Sequence, residues 1–343
     1  MKKKILNNLL LVWLVLSSLT GMRATATPAE GCVNVGPPEA PRATISNGMV
    51  DAVVMLPDVR RGYYRGVRFD WSGVIPCLQF KGRNFFGVWS PGAEPGTRNH
   101  VAGPVEEFRS SDTISSPGYD NAKPGEPFLK PGVGVLRRID EKPYNFNVDY
   151  PLIDGGEWTV KRGRDRIALT HVLTTPLGIN YRYKKTIRLE PSSPVLVMEH
   201  EMTNTGNQLI DFQVYYHDFF VFDDASTGPH VALRFPFAPT ALRALRSGAR
   251  IDGKSIVFDR VFEPGDTSTS ELLGFSSDSR DFDFLVENSK TGASVRQTGS
   301  LPLTRVVFWA NAYTACPEGY IHILVLPGKT LRWTMRYQFS VKS

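Results

Sequence analysis

The sequence predicts an all-β protein, a large antiparallel β-sandwich with many loops and few short helices. Three observations predict this class. Several stretches alternate apolar and polar residues with a period of two, turn-forming sequences separate them, and no long stretch has the spacing of an amphipathic helix. The 343 residues also include 25 prolines and 30 glycines, a content that suits a chain of strands and turns.

The last stretch, LRWTMRYQFSV, shows the alternation most clearly, because every second residue from Leu331 to Val341 is apolar. NYRYKKTIRL, VLVMEHEMTN and IDFQVYYHDFF follow the same pattern, and turn sequences such as TNTGNQ and LPGK lie between strands. Successive side chains of a strand point to opposite faces of a sheet. The pattern therefore also predicts which side chains share a face.

The first 26 residues have the layout of a secretory signal peptide. Three lysines precede the apolar stretch Leu9–Leu16, and small residues ending at Ala26 form a cleavage site. We expect a periplasmic or secreted protein with no membrane span after cleavage; an uncleaved N-terminal anchor is the alternative. Residues 27–43 are predicted to be a flexible lead-in, and residues 44–343 a single β-sandwich domain.

Cleavage would also change the charge of the protein. The full chain has 40 basic and 34 acidic side chains. The leader carries four basic residues (Lys2, Lys3, Lys4 and Arg23) and no acidic ones, so the remainder has 36 against 34, a formal charge of +2. The net charge of the remainder is close to neutral, and nothing in its sequence indicates a clustered basic face. Both observations argue against a nucleic-acid partner.

The three cysteines are Cys32, Cys77 and Cys316. Export would permit a disulfide, but sequence does not give its connectivity. Cys32 lies in the proline-rich lead-in and is expected to be free, which leaves a Cys77–Cys316 bridge as a hypothesis. No cysteine or histidine spacing indicates a zinc site.

Face parity separates two of the histidines. His200 shares its face with apolar residues such as Met198, and is predicted to be a buried, hydrogen-bonded core residue. His217 shares its face with Gln213 and Tyr215, and a strand face of this kind is typical of a wet or ligand-facing surface. A core histidine that has found a hydrogen bond is the alternative for His217.

Glu318 is the second polar centre. It lies between Pro317 and Gly319, where we expect a turn that opens a strand, with the glycine allowing a close approach of the backbone. A surface turn without a functional role is the alternative, since surface turns of this composition are common.

Together these stretches resemble the galactose mutarotase-like (aldose 1-epimerase) family, in its bacterial exported branch. In that family a strand after an N-x-G turn carries a catalytic histidine, which matches MTNTGNQLIDFQVYYHDFF here. A catalytic glutamate precedes the last strands, which matches CPEGYIHILVLPGKTLRWTMRYQF. LPDVRRGYYRGVRFDWSGVI, GPVEEFR and GEPFLKPGVGVLRR extend the resemblance over nearly all of residues 44–341.

The resemblance implies the large β-supersandwich of that family and the interconversion of sugar anomers. Glu318 would act as the base and His217 as the acid in an acid–base ring opening of an aldose. The substrate would be a mono- or oligosaccharide, and neither a metal nor an organic cofactor would be required. The sequence names neither the sugar nor the oligomeric state.

The residues that would contact the sugar are less well marked. The family's second histidine has no clear counterpart, so His100, Glu106 or Glu107 are candidates for its place. Arg68 is a candidate for binding hydroxyls, with an ion pair to Asp70 or Glu107 as its alternative. The complete set of predicted substrate contacts is Arg68, His100, Glu107, Lys130 and Tyr215.

Two other functions fit the same fold, because a fold by itself does not give function. One is an exported carbohydrate-binding protein without catalysis. The other is a domain related to polysaccharide lyases or hydrolases. In a lyase, Tyr215 would act as the base, and Arg68 or Lys130 would neutralise the carboxylate of a uronate. An isomerase predicts that His217 and Glu318 face each other across a groove at the width of a sugar ring.

Overall fold

The computed structural model describes residue 32, residues 36–92, residue 97 and residues 101–342. The expected signal peptide, its cleavage site and His100 lie outside these residues. The predicted all-β class is confirmed: the described chain folds into antiparallel sheets with a short 3₁₀ turn at Ser279–Asp281. No helix in these ranges has the length and apolar character needed to cross a membrane.

Twenty-three strands follow one another along the described chain, joined by short turns and by several longer loops. In order they are β1 (Arg42–Ser46), β2 (Val50–Met55), β3 (Cys77–Phe80), β4 (Arg83–Asn84), β5 (Val105–Ser110), β6 (Pro127–Lys130), β7 (Gly134–Arg137), β8 (Leu152–Asp154), β9 (Glu157–Arg162), β10 (Arg166–Leu173), β11 (Tyr181–Leu189), β12 (Val195–Asn204), β13 (Ile210–His217), β14 (Val231–Arg234), β15 (Thr240–Ala241), β16 (Ala249–Asp252), β17 (Ser255–Phe258), β18 (Thr267–Leu273), β19 (Asp283–Asn288), β20 (Ala293–Gly299), β21 (Arg305–Asn311), β22 (Ala315–Val325) and β23 (Thr330–Val341).

Two large sheets form the sandwich. A ten-stranded sheet has the order β16-β17-β14-β19-β20-β23-β12-β11-β10-β9, and a six-stranded sheet has the order β15-β18-β21-β22-β13-β5. Two smaller sheets, β1-β2-β3-β4 and β6-β7-β8, accompany them. The last strand of the chain, β23, lies inside the ten-stranded sheet between β20 and β12, so its strict alternation reflects burial of one face.

The main core fills the space between the two large sheets. Phe212, Val214 and Tyr216 of β13 point inward and join one apolar cluster with Met198 and Met335 of the opposite sheet. Burying an aliphatic or aromatic side chain of this size stabilises the fold by about 1.5–3 kcal/mol. A polar contact crosses the core as well, since the Trp333 indole N–H donates to the Tyr216 hydroxyl at 2.8 Å.

The other face of the six-stranded sheet, here called the outer face, carries polar side chains. The register pairs Tyr215 of β13 with Glu107 of β5 and with Tyr320 of β22, and pairs Tyr320 with Arg305 of β21. A second apolar cluster, which includes Val53, Phe69 and Phe219, covers one end of this face together with Tyr215 and Tyr320. The outer face is therefore partly enclosed, and its polar residues are brought into a low-dielectric setting.

Three local expectations differ from the structure. Cys32 is bonded to Cys77 with Cα atoms 5.7 Å apart, and Cys316 is a buried free thiol, so the hypothesis of a Cys77–Cys316 bridge was wrong. Sequence parity could not reveal this pair because 45 residues separate the two cysteines. The first strand begins at Arg42, inside the expected lead-in. Glu318 is the fourth residue of β22 and not part of a turn.

Candidate active site

His217 and Glu318 lie side by side on the outer face. Tyr215 pairs with Tyr320 in the β13–β22 register, and two further residues along each strand bring the histidine and the glutamate together. The His217 Nε2 and Glu318 Oε1 atoms are 3.4 Å apart. This is closer than the expected ring width.

Aromatic rings fix the position of the His217 side chain. Its imidazole stacks on Phe219 with ring centroids 4.0 Å apart, and meets the edges of Trp309 at 5.0 Å and Phe69 at 5.9 Å. Phe219 has a φ of 35°, in the left-handed region, and this bend after β13 turns its ring back toward the histidine. The imidazole therefore loses its rotational freedom before any substrate arrives.

Gly319 confirms the close approach that the sequence predicted. A Cβ atom at this position would lie 2.6 Å from Cζ of Phe282. The strand can therefore pass tightly over the phenyl ring immediately after Glu318, and only glycine fits there without a shift of its neighbours.

Burial controls the ionisation of the pair. It raises the pKa of Glu318 to about 7, against the opposing positive charges of Arg68 and Arg109. Burial also lowers the pKa of His217 well below 6.5, and the same two arginines lower it further. Just below pH 7 the pair therefore holds about one proton, which it loses as pH rises through 7 and which titrates as a property of both groups.

A second group of residues, here called the Glu107 cluster, surrounds one buried carboxylate: Arg68, Glu107, Arg109, Lys130 and Tyr215. The Glu107 carboxylate accepts hydrogen bonds from Arg68 Nε at 3.0 Å, Arg109 Nη2 at 3.0 Å and Lys130 Nζ at 2.9 Å. The Tyr215 hydroxyl donates to the same carboxylate and accepts from Arg68 Nη2 at 2.8 Å. This single anion thus holds three cations.

The Glu107 cluster positions the arginines and offers little surface to a ligand. Glu107 and Lys130 have fully enclosed side chains, and Tyr215 is also buried, so the predicted sugar contact of these three residues does not fit the structure. Among the predicted contacts that the structure describes, Arg68 keeps 20% of its side-chain surface exposed and can reach a ligand. The neighbouring cations hold the pKa of Glu107 well below 4.5 despite its burial, while burial lowers the pKa of Lys130 to about 8.

Aromatic rings also hold Arg68. Its guanidinium carbon lies 4.5 Å from the centre of the Phe69 ring and 4.3 Å from that of Phe146. Arg109 packs over the Tyr215 ring at 4.8 Å. Such cation–π contacts stabilise a guanidinium in a partly desolvated place.

Sequence reasoning missed four of the residues that shape the site: Arg109, Phe146, Phe219 and Trp309. Arg109 had a usable signal, because it follows Glu107 by two residues and must share its strand face. Phe146 and Trp309 reach the site through tertiary contacts, and their local sequence gives no such indication.

The remaining predicted residues belong to the core between the sheets. His200 is buried and hydrogen-bonded as predicted, with its Nδ1 atom 2.9 Å from the Tyr183 hydroxyl. Glu106 faces the same core and forms an ion pair with Lys185 at 3.2 Å, so it does not reach the outer face. Asp70 also pairs with Lys185, at 2.7 Å, and of the two partners considered for Arg68 it is Glu107 that binds it.

In the described ranges, no group of three or more His, Cys, Asp or Glu side chains has the arrangement of a metal site. No family model and no curated protein matches the chain.

Solved structures do match. A candidate aldose 1-epimerase from Escherichia coli K12 superposes with a TM-score of 0.55 at 14% identity, covering 88% of this chain and 99% of that one. Galactose mutarotase-like proteins from Clostridium acetobutylicum (TM-score 0.54, 12% identity, 88% and 96% covered) and Lactobacillus casei (0.52, 11%, 88% and 100%) are similar to it as well.

The chain has the galactose mutarotase-like fold. The predicted resemblance is confirmed at the level of the fold, since the superposition extends over nearly the whole length of each of these structures. Identities of 11–14% show the fold alone, so the function must be argued from the site itself. In this chain that argument rests on His217, Glu318 and the arginines beside them.

Proposed function

We propose that this protein is an aldose 1-epimerase-like isomerase that interconverts the α and β anomers of a reducing sugar. One observation carries the proposal. His217 and Glu318 lie 3.4 Å apart on the outer face, held in place by aromatic rings and by the strand register. An acid and a base at this separation can serve two oxygen atoms bonded to the same carbon.

The reaction needs two proton transfers in each direction. The Glu318 carboxylate removes the proton of the C1 hydroxyl, and protonated His217 delivers a proton to the ring oxygen. The C1–O5 bond breaks as the C1 carbonyl forms, C1 turns about the C1–C2 bond, and the reverse transfers close the other anomer. Each positioned group of this kind contributes about 10²–10⁴-fold in rate.

The protonation state of the pair fits this cycle. With one proton on the pair, a transfer from Glu318 to His217 converts the neutral arrangement into the carboxylate–imidazolium form that starts ring opening. Arg68 and Arg109 favour the carboxylate form of Glu318 through their positive charge, and so assist the base. The same charges disfavour the imidazolium, which makes His217 a readily discharged acid.

We also infer that the protein acts outside the cytoplasm, on free sugar ends released from larger carbohydrates. The signal-peptide-like leader motivates this location, and the Cys32–Cys77 disulfide supports it because such bonds persist in oxidising compartments. The fold shared with galactose mutarotase-like proteins supports a carbohydrate ligand.

A carbohydrate-binding protein without turnover is the second candidate, favoured by the lowered pKa of His217, which leaves the imidazole neutral in the sugar-free protein. A lyase-type function has less support. Its base would be Tyr215, whose buried hydroxyl already donates to Glu107 and whose pKa is raised well above 10, first of all by burial.

Polarimetry of freshly dissolved α-D-glucose and α-D-galactose tests the proposal. We expect the purified protein to accelerate anomerisation over buffer, and His217→Ala and Glu318→Gln each to lose that acceleration while keeping the wild-type circular dichroism spectrum. If no aldose is accelerated but saturation-transfer NMR shows sugar binding, the binding-protein function replaces the isomerase.

A further inference from the structure

A cavity lies on the outer face of the six-stranded sheet, the face that also carries the catalytic pair. It has a volume of about 340 Å³, and we call it the second pocket. Its lining includes Asp211, Gln213, Glu271, Thr304, Arg305 and His322. Pockets of about 300 Å³ or more are large enough for small ligands.

The strand register sets the distance between this pocket and the catalytic pair. Arg305 pairs with Tyr320, which is two residues from Glu318 along β22. A strand rises about 3.4 Å per residue, so about 7 Å along the sheet separates the level of Glu318 from that of Arg305, and about 14 Å separates Glu318 from His322, four residues away on β22. The near edge of the second pocket therefore lies about one sugar unit from Glu318, and the pocket continues from there along the sheet to His322.

Arg305 connects the two places. Its guanidinium bonds Glu271 at 2.8 Å in the wall of the second pocket and packs over the Tyr320 ring at 5.3 Å. Its charge also acts on Glu318, lowering the pKa of that carboxyl against the effect of burial. Arg305 therefore belongs to the wall of the second pocket and also acts electrostatically on Glu318.

The chemistry of the lining suits hydroxyl groups. His322 Nε2 lies 2.7 Å from Asp211 Oδ1, and both side chains are more than 40% exposed, so each keeps hydrogen-bonding capacity for a ligand. Gln213 adds an amide and Thr304 a hydroxyl. Planar amide, carboxylate and imidazole groups that both donate and accept are the kind that recognise sugar hydroxyls.

The charge of the lining disfavours an acidic ligand. Asp112, Asp211 and Glu271 are acidic and Arg305 is the permanently charged base among the lining residues. A carboxylate or phosphate placed there would meet a net negative charge, which costs free energy in a partly desolvated pocket.

We propose that the second pocket is a saccharide subsite that binds the neutral sugar unit next to the reducing end. This inference rests on the proposed function and deepens it, because it names the substrate class. The reducing unit lies at His217 and Glu318, and the following unit of a neutral di- or oligosaccharide occupies the second pocket. Free monosaccharides reach the catalytic pair without this anchoring.

The test compares kcat/KM for anomerisation across a panel of neutral reducing di- and tetrasaccharides of different linkages and their monosaccharides, measured by ¹H NMR of the anomeric signals. We expect at least one oligosaccharide to exceed its own monosaccharide by tenfold or more, mainly through a lower KM. His322→Ala should bring that ratio to within about twofold of one. Arg332→Ala, an exposed substitution on the ten-stranded sheet, should leave the ratio unchanged.

The outcomes separate the two proposals. Equal kcat/KM for monosaccharides and all oligosaccharides would overturn the subsite and leave the isomerase standing. A preference for oligosaccharides that survives in His322→Ala would overturn its placement in the second pocket. No acceleration of any sugar, with oligosaccharides bound by wild type and not by His322→Ala, would overturn the isomerase and support the subsite. An equal kcat/KM for a neutral disaccharide and for one whose second unit is a uronate would contradict a preference for neutral substrates.

Discussion

Two histidine–glutamate pairs lie on opposite faces of the six-stranded sheet. On the outer face, His217 and Glu318 are 3.4 Å apart, and in the core between the sheets His200 and Glu106 are 3.7 Å apart. Burial raises the pKa of both carboxyl groups to about 7 and lowers the pKa of both imidazoles well below 6.5. By residue type, distance and ionisation the two pairs are nearly the same.

They differ in what else holds the carboxylate. Glu106 accepts from the Tyr183 hydroxyl at 3.2 Å and pairs with Lys185 at 3.2 Å, so structural partners occupy it. Glu318 differs, because among the described residues its side chain has a close polar contact with His217 alone. It also keeps 8% of its surface exposed. A titratable pair becomes a candidate site when its hydrogen-bonding capacity is left open toward a ligand, and a perturbed pKa by itself does not mark one.

The largest expected effect is on the rate of anomerisation, which should depend on the outer His217–Glu318 pair and not on the core His200–Glu106 pair. Glu318→Gln removes the base and should lower the catalysed rate of anomerisation by about 10²–10⁴-fold. Glu106→Gln is the matched control, because it makes the same change in the core pair and should keep the rate per folded molecule within a few fold. Polarimetry on both variants checks this. Equal losses in the two would mean that the comparison does not identify the site.

The next effect concerns the anion beneath the site. Glu107→Ala leaves Arg68, Arg109 and Lys130 without their shared counter-ion, and removing one partner of a buried ion pair costs about 3–5 kcal/mol. Urea unfolding should show this loss. Glu201→Ala removes the partner of the exposed Arg332 and should cost at most about 1 kcal/mol. A loss of less than about 1 kcal/mol in the free energy of unfolding for Glu107→Ala would show that this carboxylate does not stabilise the Glu107 cluster.

The open pair should also affect how stability depends on pH. The pKa of Glu318 rises from 4.5 to about 7 on folding, so its contribution to stability is complete below pH 4.5 and is lost as pH rises through 7. Glu318→Gln has no such loss. One pKa unit corresponds to about 1.4 kcal/mol, so the variant should gain up to about 3 kcal/mol over wild type between pH 5 and pH 8. Thermal unfolding at the two values checks this, and a constant difference would contradict it.

The smallest effect sharpens the assignment of the proton. The active pair carries one proton, so kcat/KM should fall about tenfold per pH unit above about 7, where Glu318 loses its proton. On the acidic side, kcat/KM should fall only well below pH 6.5, where His217 takes up a proton and the pair then carries two. Rates corrected for buffer between pH 4 and pH 9 test this profile. A basic limb far above 7 would place the proton on another group.

Much of this arrangement was predictable from sequence. Alternation along β13 placed Tyr215 and His217 on a polar face, and alternation along β12 placed His200 in the core. Both predictions depended on the period-two geometry of a strand, which acts over two residues and is written in the local sequence. Glu318 came from the family resemblance, because its local sequence of proline, glutamate and glycine is common in turns.

Parity also had a limit. Adjacent residues Glu106 and Glu107 must point to opposite faces of β5, but the alternation does not say which one meets the core when both are charged and buried. The structure gives Glu106 to the core and Glu107 to the outer face, through pairing with Lys185 in one case and with Arg68, Arg109 and Lys130 in the other. These partners come from distant parts of the chain.

The sequence by itself determined the class of fold, the strands and the faces of their side chains, because hydrophobic periodicity and turn chemistry are local properties. Only the tertiary structure decided which strands are neighbours, and with that the contact of His217 with Glu318, the three cations on Glu107 and the Cys32–Cys77 bridge. Strand order and long-range register depend on how whole faces pack together, and this cooperative free energy is not carried by any short stretch of residues.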